Sequence, residues 1–351
     1  MSLPTLSVTM PVYNRATFLP KALNTILEQS FQPKEVIIID DGSTDQSVEI
    51  IESYVEKYPL FQLYKNGQNR GINYTLDRCL EKVTGDYWHG FNAEDPILPG
   101  FYEKSIKMLA KYPQAGLCTS LCLRFDDHGN KLSTVPEPPY LSNSPFFLSP
   151  KEALDAIINK EFEIMTSTSI LRADILEEIG GLPHIKHYED MFWYLLYATN
   201  YGICFIPEPL GQFLRSSDSG SNIYNIDPAA VFDIANQTKQ AMISDKYKKY
   251  FSPLIIQNFM ARQRYLSGTV ALKALDEAYK KSFNDIKTYT LENFSTSDKV
   301  CFTIISFAAK TLSLVMKLYI FLRLRNVTWN IFLRVFYRIK IKSKSILNFF
   351  D

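Results

Sequence analysis

The chain has 351 residues, of which 46% are hydrophobic and 21% charged, and this balance excludes an intrinsically disordered protein. Its five cysteines form no Cys-x-x-Cys pair, so a disulfide framework and a zinc ribbon are both disfavoured. We therefore expect a reducing, cytosolic setting. The first fifteen residues lack a basic segment followed by an apolar run, and no secretory signal is expected.

The first hundred residues alternate between strand and helix patterns. Strands are predicted at 6–10, 36–39, 61–64 and 87–91, and helices at 18–29, 46–58 and 72–83. The β-branched run at 36–39 is typical of a strand that is buried on both faces of a parallel sheet. This order predicts a doubly wound α/β sheet, in which ligands bind beyond the carboxyl ends of the strands. Two acidic pairs, Asp40/Asp41 and Glu94/Asp95, lie at such ends and are expected to share one crevice.

The second half of the chain continues the α/β pattern and then becomes helical. Residues 134–150 are rich in Pro and Ser and are predicted to form a loop. Helices are predicted near 150–160, at 173–179 and at 190–201, and strands at 166–171 and 204–206. From about 228 the pattern is helical. We predict three regions, an α/β domain over 1–225, a helical extension over 226–298 and a tail over 299–351.

The tail is basic and amphipathic. Residues 299–350 contain ten Lys or Arg and no Asp or Glu, whereas the rest of the chain is acidic. Polar residues recur at spacings of three and four along 303–317 and at a spacing of four along 330–342, which predicts helices with one polar face. Such helices are expected to lie in the membrane interface rather than to span the bilayer. The alternative is a helical pair that packs on protein.

The acidic groups suit one kind of chemistry. An enzyme that transfers a sugar from a nucleotide must hold a base and ribose, neutralise a diphosphate leaving group and deprotonate an acceptor hydroxyl. A carboxylate can accept the N–H of a uracil-like base, and carboxylates can hold a divalent cation that bridges a diphosphate. A further carboxylate can act as the general base. Acidic residues at three separate strand or loop ends would meet these needs.

Four sequence motifs make the comparison with a known family specific. They are Val8–Arg15 with Ser30–Asp45, Asn69–Gly71 with Asn73, Thr84–Tyr87 with Asn92–Gly100, and Gly180–Leu182 with Tyr188–Asp190 and Trp193. In this order they resemble the inverting family 2 glycosyltransferases, which have the GT-A fold. The resemblance implies a Rossmann-like, mostly parallel sheet, here with a C-terminal helical extension.

The resemblance also implies roles for individual residues. Asp190 is expected to be the general base, with Glu189 as its neighbour or substitute. Asp95, with Glu94 beside it, is expected to bind a divalent cation, Mn²⁺ or Mg²⁺. Asn92 replaces the first acid of the usual Asp-x-Asp-Asp, which is expected to weaken metal binding. The residues expected to contact the nucleotide sugar are Pro11, Tyr13, Asp40, Asp41, Asn69, Gly71 and Arg215.

The implied function is transfer of a hexose-type sugar from a nucleoside-diphosphate sugar, most commonly a UDP-sugar, to a saccharide or lipid-linked saccharide. With the basic tail, this implies a peripheral enzyme at the cytoplasmic face of the cell membrane, in cell-surface polysaccharide or lipopolysaccharide biosynthesis, with no nucleic-acid partner. Two alternatives remain. A nucleotidyltransferase would carry a Gly-rich basic phosphate loop after its first strand, where this chain has residues 11–14. A non-catalytic nucleotide-sugar-binding scaffold is favoured only by Asn92.

Overall fold

The structure is a computed structural model that describes residues 3–126, 128–135, 142–158, 164–181, 183, 185, 189–215, 228–261 and 263. The described residues belong to two compact units, one drawn from residues 1–219 and 241–251 and the other from 220–240 and 252–351. The first unit contains the sheet and all the predicted site residues. Residues 264–298 of the predicted extension and the whole predicted tail, 299–351, lie outside the described residues.

The N-terminal half is a parallel sheet covered by helices. Its elements are β1 (Leu6–Val12), α1 (Leu19–Leu27), β2 (Glu35–Asp40), α2 (Ser47–Lys57), β3 (Phe61–Lys65), α3 (Ile72–Leu80) and β4 (Tyr87–Gly90). The strands are parallel in the order β3-β2-β1-β4. All of β2 is buried. Val36 and Ile38 pack into the main core with α1, whereas Ile37 and Ile39 pack against Cys79 of α3, so both faces of β2 are covered as the sequence predicts.

The second half extends the same sheet. Its elements are α4 (Phe101–Lys111), β5 (Leu117–Asp126), β6 (Lys131–Val135), β7 (Phe146–Leu148), α5 (Pro150–Ile158), β8 (Ser169–Arg172), α6 (Ala173–Ile179), α7 (Glu189–Tyr201), β9 (Ile203–Arg215) and α8 (Pro228–Ile243). The full order is β3-β2-β1-β4-β8-β5-β9-β7, with β6 beside β5. β8 is antiparallel to both β4 and β5, and β9 is parallel to β5. The predicted mostly parallel α/β sheet is confirmed.

Three predictions about individual elements are wrong. The strand predicted to stop before Pro207 continues to Arg215, because two register irregularities beside Leu121 carry the pairing past the prolines. Residues 146–148, within the predicted loop, form β7 and pair antiparallel with β9. Residues Thr166–Thr168, predicted to be part of a strand, form a 3₁₀ turn before β8. No helix within the described residues has the length and apolar character that a bilayer span requires.

Candidate functional site

The carboxylate of Asp41 binds the loop that follows β3. Its Oδ1 accepts hydrogen bonds from Asn66 Nδ2 at 2.7 Å and from the backbone N–H of Arg70 at 2.9 Å, and its Oδ2 accepts one from the N–H of Gly71 at 2.9 Å. Burial raises the pKa of this carboxyl, but the hydrogen bonds outweigh burial and hold the pKa below its usual value. Asp41 is therefore an ionised anchor for the loop.

The turn between Asp40 and Ser43 packs directly on that loop. The carboxylate of Asp40 accepts hydrogen bonds from the N–H groups of Gly42, at 3.1 Å, and Ser43, at 3.2 Å. Gly42 has φ of +77°, and a Cβ on it would lie 2.6 Å from the carbonyl carbon of Gln68 and 2.7 Å from the nitrogen of Asn69. Since backbone cannot yield to such a contact, only glycine fits between the two acidic residues and Ser43.

Asn69 and Gly71, both predicted to border the nucleotide, lie in this loop and contact each other. Asn69 Oδ1 accepts a hydrogen bond from the N–H of Gly71 at 3.0 Å. Gly71 has φ of +88° and directly precedes α3. The side chain of Asn69 is otherwise exposed. The predicted grouping of Asp41, Asn69 and Gly71 is thus present as one hydrogen-bonded corner.

The loop after β1 is held against the turn after β2. Pro11 lies half-buried within β1, and Tyr13 directly follows the strand with 42% of its surface exposed. Asn14 has φ of +52°. Its N–H donates to Ser43 Oγ at 2.9 Å, and its Oδ1 accepts a hydrogen bond from the N–H of Thr44 at 2.8 Å. These bonds hold Tyr13 next to the Asp41 corner.

An ion pair joins this loop to the predicted metal site. Arg15 Nε lies 2.8 Å from Glu94 Oε1, and both side chains are partly exposed. Glu94, expected beside the metal, is therefore neutralised by a cation from another strand end. Sequence reasoning assigned no role to Arg15. Arg15 directly follows Asn14, and most of the other predicted site residues near it are acidic. A single cation in that position could have indicated an ion pair with one of the predicted carboxylates.

Asp95 is buried beside the end of β9. Its Oδ1 accepts a hydrogen bond from the N–H of Leu214 at 3.1 Å, and its Oδ2 accepts one from Asn92 Nδ2 at 3.3 Å. Burial raises the pKa of this carboxyl to about 7, and these two neutral donors only partly oppose the effect. Within the described residues Asp95 forms no ion pair, so a bound divalent cation would supply the positive charge that this carboxylate needs.

The protein ligands for such a cation are few. Among the described residues, no three His, Cys, Asp or Glu side chains are grouped closely enough to hold a metal ion. Asp95, with Glu94 adjacent in the chain, fits a site in which substrate oxygens and water complete the coordination. Asn92 turns its NH₂ group toward Asp95, not its oxygen.

The proposed base lies at the start of α7. Glu189 and Asp190 are the first two residues of this helix, and their side chains lie outside the part of the chain that the structure describes. α7 ends at Tyr201, and β9 begins two residues later. A helix that leads into a strand of this sheet runs antiparallel to that strand, so the first turn of α7 lies toward the edge where the parallel strands end. Arg215 is the last residue of β9, at this edge. Its side chain also lies outside the part of the chain that the structure describes.

Residues 7–180 match the family model for glycosyl transferase family 2. The chain belongs to this family. The assignment confirms the predicted enzyme class, a glycosyltransferase, over the nucleotidyltransferase and scaffold alternatives.

Two relatives of this glycosyltransferase illustrate the extent of the similarity. The glycosyltransferase EpsE of Bacillus subtilis is 26% identical over 269 residues, which is 73% of this chain and 90% of EpsE. The minor teichoic acid biosynthesis protein GgaB of the same organism is 28% identical over 134 residues, which is 38% of this chain but only 13% of GgaB.

Solved structures share the fold of this glycosyltransferase. TarS 1–349 from S. aureus, in complex with UDP-GlcNAc, has a TM-score of 0.55 at 16% identity, covering 80% of this chain and 75% of that one. The mannosyltransferase PcManGT from Pyrobaculum calidifontis, in complex with GDP-Man and Mn²⁺, has a TM-score of 0.54 at 18% identity, covering 92% and 86%. At these identities the likeness concerns the fold, which is the predicted GT-A fold.

The glycosyltransferase also has a cavity at the other edge of its sheet. This cavity, of about 1120 Å³, is bordered by Asp86 before β4, by Arg172 at the end of β8, and by Glu177, Gly180 and Lys246 further along the chain. Its lining contains none of the predicted site residues. We assign the candidate active site to the edge that carries Asp41 and Asp95, because that edge holds the side chains that can do the chemistry. The size of the cavity at the other edge is not a reason to place the active site there.

Proposed function

We propose that this glycosyltransferase inverts the anomeric centre of the sugar that it transfers. The proposed donor is a nucleoside-diphosphate sugar, and a UDP-sugar is the first choice. The proposed acceptor is a hydroxyl of a saccharide or lipid-linked saccharide. The observation that carries the proposal is the pair of buried carboxylates at one sheet edge, Asp41 bound by N–H groups and Asp95 without a cationic partner among the described residues.

The Asp41 corner is the proposed site for the base and ribose. A carboxylate has about four acceptor positions, and Asp41 uses three of them on the loop after β3. The side chain of Thr75 also hydrogen-bonds this carboxylate. An N–H of the base is proposed to bind at the same carboxylate. The exposed ring of Tyr13 offers a stacking surface next to it. Pro11, Asp40, Asn69 and Gly71 complete this border.

Asp95 and Glu94 are the residues proposed to hold Mn²⁺ or Mg²⁺. When bound, such a cation neutralises charge on the departing diphosphate. The Mn²⁺ in the complex of PcManGT is consistent with this assignment. Asp95 is held in place by Leu214, the residue before Arg215, and we propose that Arg215 faces the diphosphate.

Asp190 is the proposed general base, with Glu189 next to it. The acceptor O–H transfers its proton to the Asp190 carboxylate while the acceptor oxygen forms its bond to the anomeric carbon. The bond between that carbon and the diphosphate oxygen breaks in the same displacement, and the nucleoside diphosphate leaves with the electron pair. One in-line displacement inverts the configuration.

The proposed setting is cell-surface polysaccharide or lipopolysaccharide assembly at the cytoplasmic face of the cell membrane. The support is the basic, amphipathic sequence of residues 299–351 together with the similarity to GgaB. Flotation with anionic liposomes, using the full chain and a chain ending at residue 298, tests this part. Full-length protein that stays at the bottom of the gradient would contradict it.

The enzyme itself is tested with a panel of UDP-, dTDP- and GDP-sugars, in Mn²⁺, Mg²⁺ or EDTA, by following nucleotide release and the anomeric configuration of the product. We expect Asp190→Asn to abolish most turnover. Asp155→Asn, on the exposed face of α5, is the matched control and should behave as wild type. Transfer by Asp190→Asn at the wild-type rate, or retention of configuration, would overturn the mechanism.

A further inference from the structure

A segment far along the chain holds the turn that ends α6. This segment, residues 246–251, is called the clamp segment below. Lys246 Nζ donates a hydrogen bond to the carbonyl of Gly180 at 2.7 Å, and the hydroxyl of Tyr247 donates one to the carbonyl of Gly181 at 2.9 Å. Both glycines have positive φ, and their N–H groups bond back to the carbonyls of Glu177 and Leu176 in α6. The clamp segment adds an anchor from outside through their carbonyl groups.

The clamp segment also packs along α7. The ring of Tyr247 meets that of Phe192 edge-on, with centroids 4.9 Å apart, and the ring of Phe251 lies 4.8 Å from Phe192. Phe192 is 1% exposed and lies in the same helical turn as Asp190. Near the other end of the helix, Asn200 Nδ2 donates to the carbonyl of Tyr250 at 3.1 Å.

Glu178 of α6 joins the same elements a second time. Its carboxylate accepts hydrogen bonds from the hydroxyl of Tyr201, at the end of α7, and from the hydroxyl of Tyr250, each at 2.8 Å. Lys249 Nζ lies 3.6 Å from the same carboxylate. α6, α7 and the clamp segment are therefore connected by hydrogen bonds that do not involve the sheet.

We propose that Tyr247 is a positioning residue for the general base. Its hydroxyl contacts Gly181 and its ring contacts Phe192, so one side chain touches the chain on both sides of residues 182–188. Fixing both ends of this stretch restricts how far the first turn of α7 can shift. A general base works only within hydrogen-bond reach of its proton, and a displacement of about 1 Å can cost roughly a hundredfold in rate. The inference rests on the proposed function, in which Asp190 is that base.

The contact is additional to the part of the chain that carries the family resemblance. The family model ends at residue 180, and the clamp segment lies more than sixty residues beyond it. The hydroxyl of Tyr247 makes no contact that donor binding would require. The effect of removing it is therefore expected in kcat and not in the KM for the donor.

The test is Tyr247→Phe, which keeps the ring packing and removes only the hydroxyl. With the donor that gives the fastest nucleotide release, we expect kcat to fall about tenfold and the KM values for donor and Mn²⁺ to stay within twofold of wild type. The matched control is Tyr54→Phe in α2, which also removes a hydroxyl donor, to Asn24 Oδ1 at 2.9 Å, and should leave kcat unchanged. Lys246→Met is a second variant that removes the neighbouring bond to Gly180 and is expected to give a smaller fall in kcat.

Hydrogen exchange of peptides covering residues 189–201 provides a readout that does not need turnover. Tyr247→Phe should exchange faster there, and Tyr54→Phe should match wild type. If Asp190→Asn slows the enzyme while Tyr247→Phe changes neither kcat nor exchange, the positioning role is wrong and the proposed function stands. If Asp190→Asn does not slow the enzyme, the base assignment fails. If no donor is turned over, the exchange result alone decides whether Tyr247 holds α7.

Discussion

Asp41 and Asp95 are both buried carboxyls at the same edge of the sheet, yet their surroundings are opposite. Asp41 accepts three hydrogen bonds at 2.9 Å or less, and its pKa lies below the usual value. Asp95 accepts two longer bonds from neutral groups, and burial raises its pKa to about 7. Burial alone therefore does not decide the charge of a carboxyl. The corner around Asp41 is held by donors within the protein, whereas Asp95 has no cationic partner among the described residues, and we propose that a bound cation supplies one.

The sharpest test of this contrast is Asp95→Asn. Because the proposed cation loses the buried one of its two proposed carboxylate ligands, we expect nucleotide release to fall roughly a thousandfold. The free energy of unfolding, measured in EDTA at pH 8, should not fall, since the variant removes a buried charge and keeps an acceptor for Leu214. A clear loss of stability with retained activity would show that Asp95 is a structural anchor like Asp41.

Gly42→Ala tests how tightly the Asp41 corner is packed. Its control is Gly67→Ala, because both glycines have φ of +77° but a Cβ on Gly67 meets nothing within 4 Å. We expect Gly67→Ala to cost about 1 kcal/mol of unfolding free energy, from backbone strain alone. Gly42→Ala should cost about 3 kcal/mol, because overpacking against residues 68 and 69 is added. If urea titrations gave equal losses of unfolding free energy for the two variants, the close contact at Gly42 would make no contribution to the destabilisation.

Asp41→Asn should destabilise the protein by about 2 kcal/mol at pH 7, since an amide cannot accept all three N–H donors. In the wild-type protein, the contribution of the Asp41 carboxylate to the free energy of unfolding depends on pH. Because the folded pKa of Asp41 lies below the ordinary 3.8, its stabilisation is present above that pH and is lost as the pH falls through the folded value. The variant should lose less stability than wild type between pH 5 and 3. Parallel acid profiles for the two proteins would contradict the anchoring role.

Asp95 should show the opposite pH behaviour. Because its folded pKa is raised to about 7, its ionisation destabilises the metal-free protein as the pH rises from the ordinary 3.8 toward 7. A cation must displace the proton below pH 7, so apparent Mn²⁺ affinity in the presence of UDP should fall about tenfold per pH unit there. Calorimetry at pH 8, 7 and 6 measures this slope. An affinity that is flat over this range would show that Asp95 is already ionised or is not a ligand.

The architecture was predictable where it depends on local pattern. The β-branched run at 36–39 predicts a doubly covered strand, and the acidic residues that follow it lie at the carboxyl edge as expected. The partners of Asp41 were not predictable in the same way, because its bonds reach Asn66 and Arg70, 25 and 29 residues away. Periodicity describes which face of an element is buried and contains no information about such distant pairs.

Two other features required the three-dimensional structure. The continuation of β9 past Pro207 depends on irregular pairing with β5, so a proline that normally ends a strand does not end this one. Tyr247 lies in a stretch with ordinary helical composition and no motif. Its contacts with Gly181 and Phe192 arise only because the chain returns to the first unit after residue 240.

That return has a practical consequence for anyone who shortens this enzyme. The first unit is discontinuous in sequence, because residues 241–251 belong to it while 220–240 do not. A single cut after the family motifs, for example at residue 225, therefore removes part of the unit that it was meant to isolate. The fragment would expose Phe192, which is 1% exposed in the intact chain, and would leave the carbonyls of Gly180 and Gly181 without their donors. A soluble, well-ordered catalytic fragment has to run at least to Phe251.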